Sequence, residues 1–356
     1  LSTRDLIERF LRKQLRKQLE TALLVLPTCF STEMMEMLFE NRHTEKTASG
    51  RRTVLALDSP AKINLFLEIH GKRSDGFHDL ETLMTTVSLA DRIAFSPRTD
   101  GEIRLAITGE TGLVFGLPTD QRNLVVQALQ LLKNSAGDAS LGCDVQLHKR
   151  IPPEAGLGGA SSNAAVALRA GNQIWQLGYS GTRLLELAAE LGSDVPFFLG
   201  SSTALCRGRG ELIEPVPLLP AGIPLVIAMP RTGLSTRLVF SRVVVPEQPR
   251  GSGPILASLS AGDWISLGSQ LFNRLQPIAA SLNPEIDRLS RLFQETFPVG
   301  HLMSGSGSSY FGIYGNTRQA IRATRVLSSR AHDVVLFPCW TGRSSGGLVT
   351  AELTRR

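Results

Sequence analysis

Between Ile151 and Leu177 the chain reads IPPEAGLGGASSNAAVALRAGNQIWQL, and no other stretch constrains the fold so tightly. Gly156, Gly158 and Gly159 open a turn, and Ala164, Ala167, Leu168, Gly171 and Trp175 then recur with helical spacing. Cys143 to Lys149, just upstream, reads as a strand. Strand, glycine turn and helix, in that order, are the context an anion-binding turn needs. The glycines remove side chains that would hold the backbone off a bound group, and the free N–H groups of the first helical turn point back at it. Ser161 and Ser162 read as hydroxyl donors and N-caps. The same residues also suit a plain tight turn capped by serines. No Lys followed by Ser or Thr closes the motif, so this is not a Walker A loop and any group acting on a γ-phosphate comes from elsewhere.

A chain of 356 residues suits two ordinary domains, and 42% hydrophobic with 20% charged residues is the balance of a globular protein with a sizeable core. No apolar run approaches the roughly 18 residues of a spanning helix, which argues against an integral membrane protein. Cys29, Cys143, Cys206 and Cys339 lie far apart and form no CxxC pair, which speaks against a zinc site or a disulfide framework and for reduced thiols in a cytoplasmic protein. The net charge of +6 raises the question of nucleic acid, yet residues 1–53 hold ten Lys or Arg against seven Asp or Glu, half of that surplus. Beyond them no cluster of cations with interleaved aromatics is visible, so no nucleic-acid partner is expected.

Residues 1–26 read either as a basic amphipathic helix ended by Pro27 or as a poorly ordered stretch, within an extension that reaches residue 53 through a polar linker at 41–53. From Ala61 to Ile69 apolar residues fall on odd numbers, a strand pattern that puts Lys62 and Asn64 together on the other face. Asp75-Gly76 marks a turn, with Phe77 and His78 at its edge. Further strands are expected at 85–89, 92–95 and 103–107, and helices at 124–133 (capped by Asn123) and 182–191 (stopped by Gly192). Asp194 lies just before Val195-Pro196, where it can be a helix N-cap or a loop carboxylate. Gly208, Arg209 and Gly210 look hinge-like, and a boundary near Glu214 divides a first domain, 54–213, from a second, 214–340. That second domain reads as a strand at 224–229, helices at 261–272 and 284–296, a glycine-serine turn at 304–308 between strands, a helix at 317–328, a strand at 334–338, and a loose tail from Cys339.

Taken together, SPAKINLFLEIHGKRSDGFHDLETLM, IPPEAGLGGASSNAA, GSDVPFFLG, GRGE and MSGSGSS resemble the GHMP kinase superfamily over residues 54–340. Within it they are most similar to the branch that phosphorylates 4-diphosphocytidyl-2-C-methyl-D-erythritol in the non-mevalonate route to isoprenoids. The resemblance implies an α+β fold of two domains, the N-terminal one like the second domain of ribosomal protein S5 and the C-terminal one an α/β sandwich, with the active site in the cleft between them. It implies ATP and Mg²⁺ as cofactors, a cytidylyl-methylerythritol as acceptor, and a monomer or homodimer.

By the same resemblance Asp194 is the general base and Lys62 stands beside it to stabilise the transferring phosphoryl group. Pro153, Gly156, Leu157, Gly158, Gly159, Ala160, Ser161, Ser162 and Asn163 bind ATP. Asn64 contacts the erythritol part, Phe77 and His78 recognise cytosine, Phe240 supplies the far face of the base clamp, and Gly305, Ser306 and Gly307 complete the acceptor pocket. Ala160 stands where the family commonly has a further glycine, and Phe77 where it often has Tyr. A kinase of the mevalonate or homoserine type is the alternative within the superfamily, and an RNA-binding module the alternative outside it.

Overall fold

Two long strands carry the architecture. In the computed structural model, which describes residues 53–217, 219–342 and 349–352, β1 (Thr53–Lys72) and β2 (His78–Arg98) pair antiparallel around the turn at 73–77. The helix read at 1–26 and the linker at 41–52 lie outside the described residues. Where two strands were expected at 85–89 and 92–95, β2 is continuous and instead forks. Residues 92–98 pair with β4 (Gly142–Lys149) and residues 80–85 with β5 (Thr203–Gly208). β3 (Ile103–Gly109) runs parallel to β4, and β6 (Leu212–Pro215) closes a hairpin with β5. The hinge-like Gly208–Gly210 is the turn of that hairpin, with Gly208 and Gly210 at φ +72° and +118°, values that favour glycine.

The expected alternation in β1 holds locally: Ala61, Ile63 and Leu65 are buried in the core and Lys62 and Asn64 face the other way, into a cavity. Register shifts follow at Pro60/Lys62, Asn64/Phe66 and Ile69/Gly71, so even-numbered Phe66 is buried as well. Such bulges re-aim side chains, and these flank the two polar residues that matter most here.

Helices α1 (Thr111–Val114), α2 (Leu124–Ala136), α3 (Gly159–Ile174), α4 (Gly181–Leu191) and α5 (Val195–Leu199) follow. α2 starts where Asn123 accepts a hydrogen bond from the Val125 N–H and stops at Gly137, as capping chemistry requires. Apolar residues of α2 to α5 close one core against Leu55, Leu57, Ile93, Phe95, Val145 and Leu147 of the sheet.

A second, antiparallel sheet has the order β11 (Val334–Trp340), β7 (Pro224–Pro230), β10 (Tyr310–Ile313), β9 (Gly300–Met303). β7 is apolar throughout because both its faces are covered. Leu225 and Ile227 join Ala61, Ile63, Leu65 and Val87 of the first sheet, while Val226 and Ala228 join Phe293, Tyr310 and Leu327. The last three belong to or pack with β10, α10 (Glu285–Gln294) and α11 (Thr317–Arg330). One shared core thus fixes the two sheets to each other.

Several local expectations fail for identifiable reasons. The loop after β7 contains α6 (Thr236–Ser241), started by Ser235, which accepts from the Leu238 N–H. In place of one helix at 261–272, α7 (Gly253–Ser260) ends near Gly262 at φ +65°, and Asp263 caps a new helix, α8 (Trp264–Ser269). Phe272–Asn273, β8, then pairs parallel with β1, and α9 (Gln276–Leu282) follows. Cys339 and Trp340 continue β11 rather than starting a loose tail, and β12 (Val349–Glu352) pairs antiparallel with the start of β1. Among the described residues no helix is long and apolar enough to cross a membrane.

Candidate active site

The glycine turn is anchored at its neck by a buried carboxylate. Asp91 accepts hydrogen bonds from the N–H groups of Arg150 (2.7 Å) and Ile151 (2.8 Å) and pairs with the buried Lys149 ammonium. Beyond this point Gly156 and Gly158 adopt φ +74° and +68°. A Cβ on Gly156 would sit 2.3 Å from the Ser304 carbonyl oxygen, so only glycine fits that approach. α3 begins at Gly159 with Gly158 as its N-cap. This corrects the expectation that Ser161 and Ser162 cap the helix: both lie inside its first turn. Ser162 is buried and accepts from Ser59 Oγ at 2.8 Å, which leaves it facing the sheet rather than an anion. Leu157 and Asn163 also point inward, and the Leu157 carbonyl accepts the Lys62 N–H at 2.9 Å, stitching the turn to β1. The groups turned outward are therefore backbone: Gly156, Gly158, and the N–H groups of the first helical turn, which helix geometry leaves without intrahelical partners. Pro153 and Ala160 are exposed at its rim.

Opposite lies the glycine-serine turn between β9 and β10. Asn273, buried on β8, donates to the carbonyls of Met303 and Gly305 at 2.8 Å each, and Ser304 Oγ donates to the Gly156 carbonyl at 3.1 Å. β8 is itself pinned by Glu68, fully buried in β1, which accepts two hydrogen bonds from the Arg274 guanidinium and one each from the N–H groups of Ile69 and Arg250. Burial pushes the Glu68 carboxyl up, but Arg274 and the two backbone donors outweigh it and hold it below the usual range. The two turns thereby meet across β1, with Gly305 so close to Lys62 that a Cβ there would lie 3.4 Å from its ammonium. Ser306 joins the wall of the cavity, whereas Gly307 is packed behind it against Met303.

Lys62 and Asp194 converge at this junction. Their charged groups are 3.5 Å apart, with the Lys62 side chain 5% exposed and that of Asp194 35%. Asp194 occupies the N-cap position of α5 but its side chain makes no cap hydrogen bond, so of the two roles open to it in the sequence the carboxylate has kept the one facing the cavity. Lys62 also donates to Asn64 Oδ1 at 2.7 Å, and Asn64 Nδ2 donates to Thr82 Oγ1 at 2.8 Å. Because lysine only donates, this contact fixes which end of the amide faces it. Both ends of Asn64 are then engaged, and its most direct effect is to aim the Lys62 ammonium.

From that point a cavity of about 880 Å³ extends to Phe77, His78 and Phe240. Phe77 is 52% exposed and carries the Arg209 guanidinium 5.1 Å above its ring centre. His78 and Phe240 touch, with ring centroids 5.6 Å apart and tilted by 40°. No gap for a flat ring is left between these two side chains. Burial, with the Lys72 charge adding to it, lowers the His78 pKa below the ordinary histidine value, so the ring is a neutral donor-acceptor pair at neutral pH.

The cavity therefore gathers Lys62, Asn64, Gly156, Gly158, Asp194, Phe77, His78, Phe240, Gly305 and Ser306 from the sequence reading. Asp91, Thr82, Arg209, Arg237 and Asn273 were not anticipated. For Arg237 a signal existed: Leu234 and Val239 bracket the Ser235 cap and share one buried cluster, the pattern of a hydrophobic staple that announces a helix. Arg209 lay in the GRGE stretch but was read there only as part of a hinge; Asp91, Thr82 and Asn273 act through contacts distant in sequence and carry no local signature.

Comparison with known proteins places these features. Residues 123–206 match the family described as GHMP kinases N terminal domain, and residues 255–333 the family GHMP kinases C terminal. A 4-diphosphocytidyl-2-C-methyl-D-erythritol kinase of Pelotomaculum thermopropionicum is 40% identical over 286 residues, 76% of this chain and 97% of the relative. One of Shouchella clausii is 40% identical over 259 residues, 72% of this chain and 85% of the relative. The crystal structure of a 4-(cytidine 5'-diphospho)-2C-methyl-D-erythritol kinase superposes with a TM-score of 0.66 at 33% identity, over 81% of this chain and 99% of the other.

Proposed function

The chain belongs to the 4-diphosphocytidyl-2-C-methyl-D-erythritol kinases, within the GHMP kinases, and from that premise we propose how its residues perform the reaction. It is an ATP-dependent small-molecule kinase. It phosphorylates the 2-hydroxyl of 4-diphosphocytidyl-2-C-methyl-D-erythritol, a step of non-mevalonate isoprenoid precursor synthesis, giving the 2-phosphate and ADP.

In this reading Asp194 takes the proton from the acceptor hydroxyl as its oxygen attacks the γ-phosphorus. The bond from that phosphorus to the β,γ-bridging oxygen breaks, and ADP leaves. Lys62, aimed by Asn64, faces both the base and the transferring group, where a fixed ammonium stabilises charge as it develops. The backbone of Gly156 to Ser161 cradles the nucleotide phosphates; the positive φ angles of Gly156 and Gly158 and the free N–H groups at the start of α3 are the features that fit ATP there. Among the described residues no group of three or more carboxylates, histidines or cysteines is placed to hold a metal, so Mg²⁺ would arrive with the nucleotide and would supply neutralisation of phosphate charge. Phe77 offers a stacking face and the neutral His78 a hydrogen-bonding edge for the cytosine. The exposed side of the cavity admits the long acceptor.

The observation that carries the mechanism is the approach of Lys62 and Asp194, 132 positions apart, to 3.5 Å directly over the glycine turn. Incubating the protein with ATP and a panel of acceptors tests the reading. Phosphate transfer to the cytidylyl-methylerythritol is expected, with mevalonate and homoserine inert. Transfer to either small alcohol in its place would overturn it.

A further inference from the structure

The cations of the acceptor cavity exceed what the chemistry at its inner end uses. Besides Lys62, which faces Asp194, the cavity is lined by Lys72, Arg209 and Arg237. Arg209 is occupied: it stacks on Phe77 and lies 3.7 Å from Glu211. Arg237 is exposed and has no hydrogen-bond or ion-pair partner among the described residues.

Its position along the cavity follows from its neighbours on α6. Thr236, one residue before it, bonds Ser306 Oγ at 2.7 Å, on the turn that flanks Lys62. Phe240, three residues after it and hence on the same helical face, contacts His78. Lys72 stands at the far end, paired with His78 in the β1–β2 register. Arg237 thus lies between the phosphoryl-transfer end and the aromatic end of one continuous cavity. An acceptor spanning that distance places there whatever joins its polyol to its base.

We propose that Arg237 is a specificity-determining residue that pairs with the diphosphate linking the nucleoside of the acceptor to its polyol. The proposal rests on the acceptor reading above and assigns a charge contact that the reading leaves open. A guanidinium matches paired phosphate oxygens in two parallel hydrogen bonds, which a lone ammonium cannot reproduce. The site makes the enzyme prefer a nucleoside diphosphate derivative over a nucleoside or a free polyol. Because Arg237 is exposed, the contact is screened by salt and its effect lies at the low end for a charge-assisted bond.

The test compares Arg237→Ala and Arg237→Lys with the unaltered protein, using steady-state kinetics on the cytidylyl acceptor and competitive inhibition by CDP and by cytidine. Arg237→Ala is expected to raise the acceptor KM about 10-fold, with kcat and the ATP KM little changed and with a shallower dependence on salt. CDP should lose affinity by a similar factor while cytidine does not, and Arg237→Lys should recover part of the loss. An Arg237→Ala protein with unchanged acceptor KM, or one that weakens CDP and cytidine equally, overturns the proposal. Failure of the unaltered protein to phosphorylate the cytidylyl acceptor would instead overturn the acceptor reading itself.

Discussion

The two ends of the cavity are built from different materials. At the phosphate end the working groups are backbone: glycines at positive φ and the N–H groups at the start of α3, with the Ser304 hydroxyl of the facing turn donating to the Gly156 carbonyl to hold the two turns together. Each is fixed by buried contacts, notably Asp91 at the neck and Asn273 beneath the facing turn. At the aromatic end they are side chains, on the turn at 73–77, on the β5–β6 hairpin and on the six-residue α6. Phe77 and Arg237 are exposed there, and their replacement leaves the core untouched. A backbone cradle recognises something every phosphate shares and tolerates almost no substitution. A rim of side chains recognises what is particular to one acceptor, and it can change without cost to folding.

Three perturbations bear on this contrast. The largest effect is expected at the junction of the two ends. Asp194→Asn removes the base while keeping the shape, and should lower kcat about 10³-fold, within the range for loss of general base catalysis, with nucleotide binding retained. A comparable loss of nucleotide affinity in a direct binding measurement would show that Asp194 belongs to the phosphate end instead.

Next comes Gly156→Ala. The added Cβ meets the Ser304 carbonyl in a backbone conformation hostile to L-residues, a combination expected to cost about 2–4 kcal/mol of stability, read from the denaturant midpoint. In protein that still folds, the ATP KM should rise more than the acceptor KM. The reverse order would erase the division drawn here.

The smallest effect concerns pH at the aromatic end. His78 has a pKa lowered by burial and by Lys72, so the ring stays neutral until the pH falls below the ordinary histidine value, near 6.5. Acceptor affinity should then be flat from neutral pH upward and weaken only as the pH drops through the lowered folded value. The unfolded chain binds that proton more readily, so stability moves the same way: it is intact above the ordinary value and declines under acid. His78→Gln should remove the acidic fall in acceptor affinity while the ATP KM keeps its own profile. If the fall persists in His78→Gln, the titrating group lies elsewhere.

Much of the phosphate end was legible in the sequence because its determinants are local. Glycines in a turn, a strand before it and a helix after it are read within a few dozen residues, and the alternation from Ala61 to Ile69 was enough to put Lys62 and Asn64 on one face. The errors arose where local rules compete. Serines after a glycine turn look like caps, yet α3 could start earlier at Gly158 because a glycine N-cap with positive φ needs no side chain. The apolar run at 261–272 looked like one helix because its period was right, but Gly262 and the Asp263 cap restart it, and pairing with β1 draws Phe272 and Asn273 into the sheet.

By itself, then, the sequence nominated the groups proposed to act: a glycine turn for phosphates, a lysine and an aspartate for transfer, an aromatic and a histidine for a base. It could not determine their distances. Lys62 lies on β1, Asp194 at the start of α5 and Arg237 on α6, and only the shared core of the two sheets brings them round one cavity. The reason is physical. Conformational preference is a property of neighbouring residues, whereas the 3.5 Å between Lys62 and Asp194 is set by the packing of side chains that the chain order keeps apart.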